Sequence, residues 1–160
     1  IGLTGATLGV VTFAFTISGT ISNLFWGAIA DRRGFRDTFL MSIALWITST
    51  LVLMLADGYL ITVLVFVGVG ASVQGFQNAS MNLTLEFGDR EDLPVRIALA
   101  NMASEVAGTI GPLLGGLLAA FWHYEAVFIA SVAFLAVGGV VVRIYVPEPR
   151  LRGSIKRDRI

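Results

Sequence analysis

The chain has 160 residues, 56% of them hydrophobic and 14% charged, with a mean hydropathy of +0.81. A soluble domain carries about 25% charged residues, so this composition excludes a cytosolic enzyme, a nucleic-acid module and a disordered tail. Eleven basic residues balance eleven acidic ones, and there is no Cys and one His, so neither a polyanionic partner, a disulfide framework, a cofactor nor a metal centre is expected.

The charges are clustered, and the gaps between them are long. Residues 1–30, 38–56, 58–85 and 126–142 carry no charge, and 97–122 carry only Glu105. A membrane-crossing helix needs about 20 mostly apolar residues. The expected fold class is therefore all-α, a multi-pass transmembrane bundle of five spans near 7–30, 38–55, 59–85, 95–121 and 126–145. The bundle is expected to occupy 1–146 and a basic cytoplasmic tail 147–160. Without a basic head before the first apolar run, the first span does not read as a signal peptide, and the chain reads as a piece of something longer.

In chain order the spans differ. The first has Gly19, Asn23 and Gly27 on one side, a packing face with one polar group. The second has a few hydroxyls, such as Ser42 and Thr48, and reads as lipid-facing on most sides. The third carries Gln74, Gln77, Asn78, Asn82 and Glu86 in its inner half. At about 100° per residue, Gln74, Asn78 and Asn82 progress along one side with Gln77 flanking. Carboxamides facing hydrocarbon unpaired are costly, so these turn either to neighbouring helices as glue or to a polar cavity. A stripe of four favours the cavity.

The fourth span carries Glu105, roughly 13 Å into the helix beyond Arg96. A carboxyl at that depth is either a proton carrier, its affinity for protons raised by burial, or a structural group bonded to another span or reaching to the surface. Asn101, Gly108 and Pro112 share its face. Gly108, Gly111, Gly115 and Gly116 permit close backbone approach, and Pro112 permits a kink. The fifth span is Val, Ile, Ala and Phe with Ser131 and a Gly138–Gly139 pair.

Every basic residue falls between spans one and two, between three and four, or at and beyond the end of span five. These regions share one side of a five-span bundle. By the positive-inside rule that side is cytoplasmic and holds the carboxyl terminus. Tyr59, Trp122 and Tyr124 then mark the outer interface, and Trp26 and Tyr145 the inner one. The expected location is a cell membrane, taken as a bacterial inner membrane.

The turn after span one reads Gly27-Ala28-Ile29-Ala30-Asp31-Arg32-Arg33-Gly34-Phe35-Arg36. It resembles the G-x-x-x-D-R-x-G-R/K-R/K loop of the major facilitator superfamily of secondary transporters. Gly27, Asp31, Arg32, Gly34 and Arg36 match, and Phe35 stands where a basic residue is usual. Gly34 suits a tight turn, and Asp31 is expected at a helix amino end. The resemblance covers essentially the whole chain. It implies two six-helix halves built of inverted three-helix repeats, of which this chain looks like helices eight to twelve. The Val146-Pro147-Glu148-Pro149-Arg150 tail resembles the end of a final helix, whereas Gly108 to Gly116 also resembles a signature of the amino half.

The resemblance implies that span three lines the cavity and that spans two and five are peripheral. It further implies a fragment of a secondary active transporter working by alternating access, with a substrate path at Gln74, Gln77, Asn78 and Asn82 and proton coupling at Glu105. Asp31, Arg32 and Arg36 would form a cytoplasmic latch against the other transmembrane half. The partners expected are the lipid bilayer, that missing half of the same chain, a small solute and H+, with no nucleic acid. The alternative is a receptor or scaffold on the same fold. An enzyme is not expected: it would need a nucleophile with a base or paired metal ligands, and the one His, His123, sits in an outer loop beside Tyr124 and Glu125, where it reads as an interfacial polar residue.

Overall fold

A computed structural model describes residues 4–55, 58–86 and 91–147; the expected cytoplasmic tail, apart from Pro147, lies outside them, as do Asp57 and Arg90. The described residues form five helices: α1 (Gly5–Arg33), α2 (Phe35–Met54), α3 (Tyr59–Glu86), α4 (Leu93–Phe121) and α5 (Tyr124–Tyr145). All five are long and apolar enough to cross a membrane.

The helix ends follow from local chemistry. Thr4 caps α1, its hydroxyl accepting the Thr7 N–H at 3.3 Å. α1 stops at Gly34, whose φ of 89° is open to glycine and strained for other residues. The Gly34 N–H donates to the Ala30 carbonyl at 2.9 Å, and its own carbonyl accepts the buried Thr38 hydroxyl at 2.8 Å. One residue thus joins α1 to α2, and the expected loop over 31–37 is otherwise helical. Asp31 falls in the last turn of α1 rather than at an amino end. Asp37 takes the amino-end place in the first turn of α2, while Arg32 and Arg33 close α1 and Arg143 closes α5. These signs oppose the helix dipoles.

α3 is the central element. It packs along α1 on one side and α2 on the other, α2 also meets α5, and α4 touches α3 and α5 only lightly. Glycines on α3 set these distances. A Cβ at Gly70 would collide with the Phe15 carbonyl of α1, and one at Gly68 with the Ser49 hydroxyl of α2. Between α2 and α3, Phe76 stacks at a tilt on Phe39 (centroids 4.9 Å apart) and edge-on to Trp46 (6.0 Å).

Most hydroxyls are satisfied inside their own helices. Ser18, Ser42, Thr50 and Ser72 each donate to a carbonyl three or four residues back, which lets them sit in an apolar bundle without an interhelical partner.

Candidate functional site

Side-chain bonds within and between helices organise the end of the bundle where α1 closes and α2 begins. Asn78 of α3 donates to the Asn23 side-chain carbonyl of α1 at 2.8 Å, and Asn82 donates to the Asn78 backbone carbonyl at 2.8 Å. The Trp26 indole N–H donates to the Ala71 carbonyl at 2.8 Å. Trp26 is therefore buried in the α1–α3 seam and is not an interface anchor; its ring lies where a Cβ at Gly75 would be, 2.5 Å from Cε2. The Arg36 guanidinium donates to the Arg143 carbonyl at 2.6 Å, tying the start of α2 to the end of α5.

The four amides of α3 do not share one surroundings. Asn78 and Asn82 face α1 and border a cavity of about 230 Å³ together with Asp31 and Gly27. Gln74 lies beside Gly19 of α1. Gln77 instead faces α4. It lines a groove of about 290 Å³ with Ser80 and Thr84 of α3 and Asn101 and Ser104 of α4, on walls that include Phe76, Met81 and Ile97. Spacing on α3 fixes this division, because Gln77 lies about 100° from Asn78 around the helix.

No partner bonds the Gln77 or Asn101 side chains among the described residues, whereas Asn78 is held by α1. Asn101 appeared in the sequence only as a neighbour of Glu105; the signal available for the hydroxyls is weaker, Ser80 and Thr84 one turn apart on α3 and Ser104 alone on α4.

Glu105 is one turn beyond Asn101. It is exposed, and its carboxylate has no bonding partner among the described residues. All of α4 is open in this sense: none of its residues is buried. Gly108, Gly111 and Gly116 meet nothing within 4 Å of an added Cβ, and Gly115 approaches only Val127, at 3.9 Å. Pro112 sits inside the helix without interrupting it. Among the described residues the close glycine contacts lie along α3, at Gly68, Gly70 and Gly75, and opposite it at Gly19 of α1, where an added Cβ would lie 3.3 Å from the Gly70 carbonyl.

Of the loop residues, Gly27 and Arg36 are half-buried and Asp31 and Arg32 exposed. The turn brings Gly27, Asp31 and Phe35 to the edge of the 230 Å³ cavity, while the Arg36 guanidinium reaches to α5.

Residues 1–159 match the family profile of the Major Facilitator Superfamily. The chain belongs to this superfamily. Its relatives include Multidrug resistance protein D of Escherichia coli, 28% identical over 86% of this chain and 35% of the relative. In Saccharomyces cerevisiae, Azole resistance protein 1 is 26% identical over 83% of this chain and 21% of its own length. Vacuolar basic amino acid transporter 5, from the same yeast, is 25% identical over 84% and 22%. The chain thus spans about a third or less of the length of these major facilitators.

Proposed function

We propose that this chain is part of a secondary active transporter that moves a small organic solute across a cell membrane by alternating access. The observation that carries the reading is the α3–α4 groove. Its polar groups are neutral, set among apolar walls, and Gln77 and Asn101 keep their hydrogen-bonding capacity free. Such a lining suits an amphiphilic solute, held by a few directional bonds on a largely apolar surface. Superfamily membership and relatives named for resistance and for transport support the same class.

In this reading the remainder of the protein closes the open side of α4 and of the groove, and Gln77 leads the solute path. Gln74, Asn78 and Asn82 extend it toward α1, with Asn78 also holding the two helices together. Glu105 is the coupling carboxyl, exposed on the helix that borders the groove, where a carboxylate inside a membrane requires water or a partner. Asp31, Arg32 and Arg36 form the latch on the cytoplasmic side, and the α4 glycines and Pro112 pack against, and bend along, spans beyond this chain. The five helices correspond to eight to twelve of the superfamily's twelve, in a bacterial inner membrane, with the carboxyl terminus inside.

Solute flux into proteoliposomes bearing the full-length protein tests the reading. Uptake driven by a pH gradient is expected, with Gln77→Ala raising KM and Glu105→Gln abolishing the gradient's effect while leaving binding in place. Absence of solute movement under every ion gradient would transfer the protein to the receptor or scaffold class.

A further inference from the structure

The α3–α4 groove presents hydrogen-bonding groups without presenting charge. It holds about 290 Å³, and no Asp, Glu, Lys, Arg or His borders it among the described residues. Glu86 of α3 and Arg96 of α4 lie nearer the helix ends, and each already has an interaction partner. Glu105 follows Asn101 by one turn of α4 and is exposed, yet it does not line the groove. The polar groups that do line it are available. Ser18, Ser22, Ser42, Ser72 and Ser131 each donate to a carbonyl of their own helix. Ser80 and Ser104 do not: like those of Gln77 and Asn101, their side chains have no bonding partner among the described residues. Thr84 gives its proton to the Ser80 carbonyl at 3.0 Å and keeps its lone pairs. Two carboxamides and two hydroxyls thus offer donors and acceptors together, from two helices that border one space.

Depth sets the cost of charge here. Gln77 is nine residues before the end of α3 at Glu86, and Asn101 is eight beyond the start of α4 at Leu93, roughly 14 and 12 Å along the two helices. An ion brought to that depth without a countercharge gives up hydration that neutral amides and hydroxyls replace only in part. An uncharged solute gives up less. Where it carries a donor beside an acceptor, a carboxamide side chain can bond it at two points, as Asn and Gln do with the adenine edge. At about 30 Å³ per water the groove has room for roughly ten waters, the space of a small organic molecule.

We propose, resting on the reading of this groove as the solute path, that it selects an uncharged solute of the carboxamide or lactam class, with a hydrogen-bond donor beside an acceptor. Gln77 and Asn101 bond that polar edge, and the apolar body of the solute rests on Phe76, Met81 and Ile97. Organic cations and anions of the same size are rejected, because nothing in the lining neutralises them.

The test is equilibrium binding of radiolabelled 2-naphthamide to the full-length protein in phosphatidylcholine nanodiscs at neutral pH, without any ion gradient and with empty nanodiscs as background. Saturable binding is expected. Competitors on the same ring separate charge from shape: 2-naphthylmethylammonium and 2-naphthoate are expected to displace the label at least about tenfold more weakly than unlabelled 2-naphthamide. 2-Acetonaphthone, which keeps the acceptor and lacks the donor, is expected to be weaker by roughly two- to tenfold. Gln77→Ala and Asn101→Ala are each expected to weaken 2-naphthamide binding by a similar factor, size-exclusion profiles confirming that both variants are folded. Equal or stronger competition by either ion overturns the proposal, as does absence of saturable 2-naphthamide binding, or binding that both variants leave unchanged. Flux remains the separate measure of transport. Selective 2-naphthamide binding by a protein that moves no solute would keep the ligand class and remove transport, and flux by a protein that prefers an ion would do the reverse.

Discussion

Gly34 concentrates more constraint than any other residue described. It ends one helix, begins the next and does both with φ at 89° and ψ at 166°, a region essentially reserved for glycine. Gly34→Ala is therefore expected to destabilise the protein by about 1–3 kcal/mol, read as a fall in the midpoint of thermal unfolding of the detergent-purified, full-length protein. The Asn23–Asn78 bond is a smaller term. Interhelical bonds of this kind average about 0.6 kcal/mol and reach about 1.7. Asn78→Leu should cost about that much, and a double-mutant cycle with Asn23→Leu should return the coupling energy. A coupling energy of zero would mean that the two amides do not bond each other in the membrane. Gly34 was legible in the sequence because a positive-φ turn between two apolar runs selects glycine. The Asn23–Asn78 pairing was not, because the α3 stripe shows that its amides need company without showing whose.

The same asymmetry holds for whole helices. The five spans were readable because length and the absence of charge are properties of each helix alone. Which helices meet, and how closely, depends on matched surfaces of two helices, and single-chain periodicity carries little of that. Gly68 and Gly70 lie in the uncharged run 58–85, and in the structure they allow α3 to lie against α2 and α1 at once. Gly108 to Gly116 gave the stronger pattern, yet among the described residues Gly108, Gly111 and Gly116 face open space and Gly115 approaches only Val127. Trp26 shows the limit of composition rules, since an aromatic near a span's end is as suited to a seam, given a glycine and a carbonyl opposite, as to an interface. At this scale Gly70→Leu is expected to force α1 from α3. Overpacking typically costs about 1–3 kcal/mol, and a larger loss is expected here because the obstruction is backbone. Trp26→Phe keeps the ring in the seam but loses the bond to Ala71, at about 1 kcal/mol. Urea or SDS unfolding of the full-length protein orders the two variants, and a Trp26→Phe penalty exceeding that of Gly70→Leu would contradict the seam as described.

At the scale of the molecule, the arrangement of charge and the arrangement of contacts constrain each other. Positive residues were placed on one side by counting spans. The structure reaches that end independently, through the Arg36–Arg143 bond joining α2 to α5 and through the cavity shared by Asp31, Phe35 and Asn82, which joins α1, α2 and α3. The first turns of α2 and α4 and the last turns of α1, α3 and α5 therefore lie at one end of the bundle, and Trp122, His123 and Glu125 at the other. Polybasic ends are held on the cytoplasmic side because moving such groups across the bilayer during insertion is unfavourable. The chain has no Cys, so a cysteine introduced into this segment is the segment's sole thiol. Cysteines at Arg33, Glu91 and Tyr145 are each expected to react with a membrane-impermeant maleimide only after permeabilisation of intact cells, and one at Glu125 to react without it. Reaction of Arg33→Cys and Tyr145→Cys from opposite sides would be incompatible with the α2–α5 tie, whichever face is cytoplasmic. Uniform reaction of Arg33, Glu91 and Tyr145 from outside would keep the bundle intact and invert it.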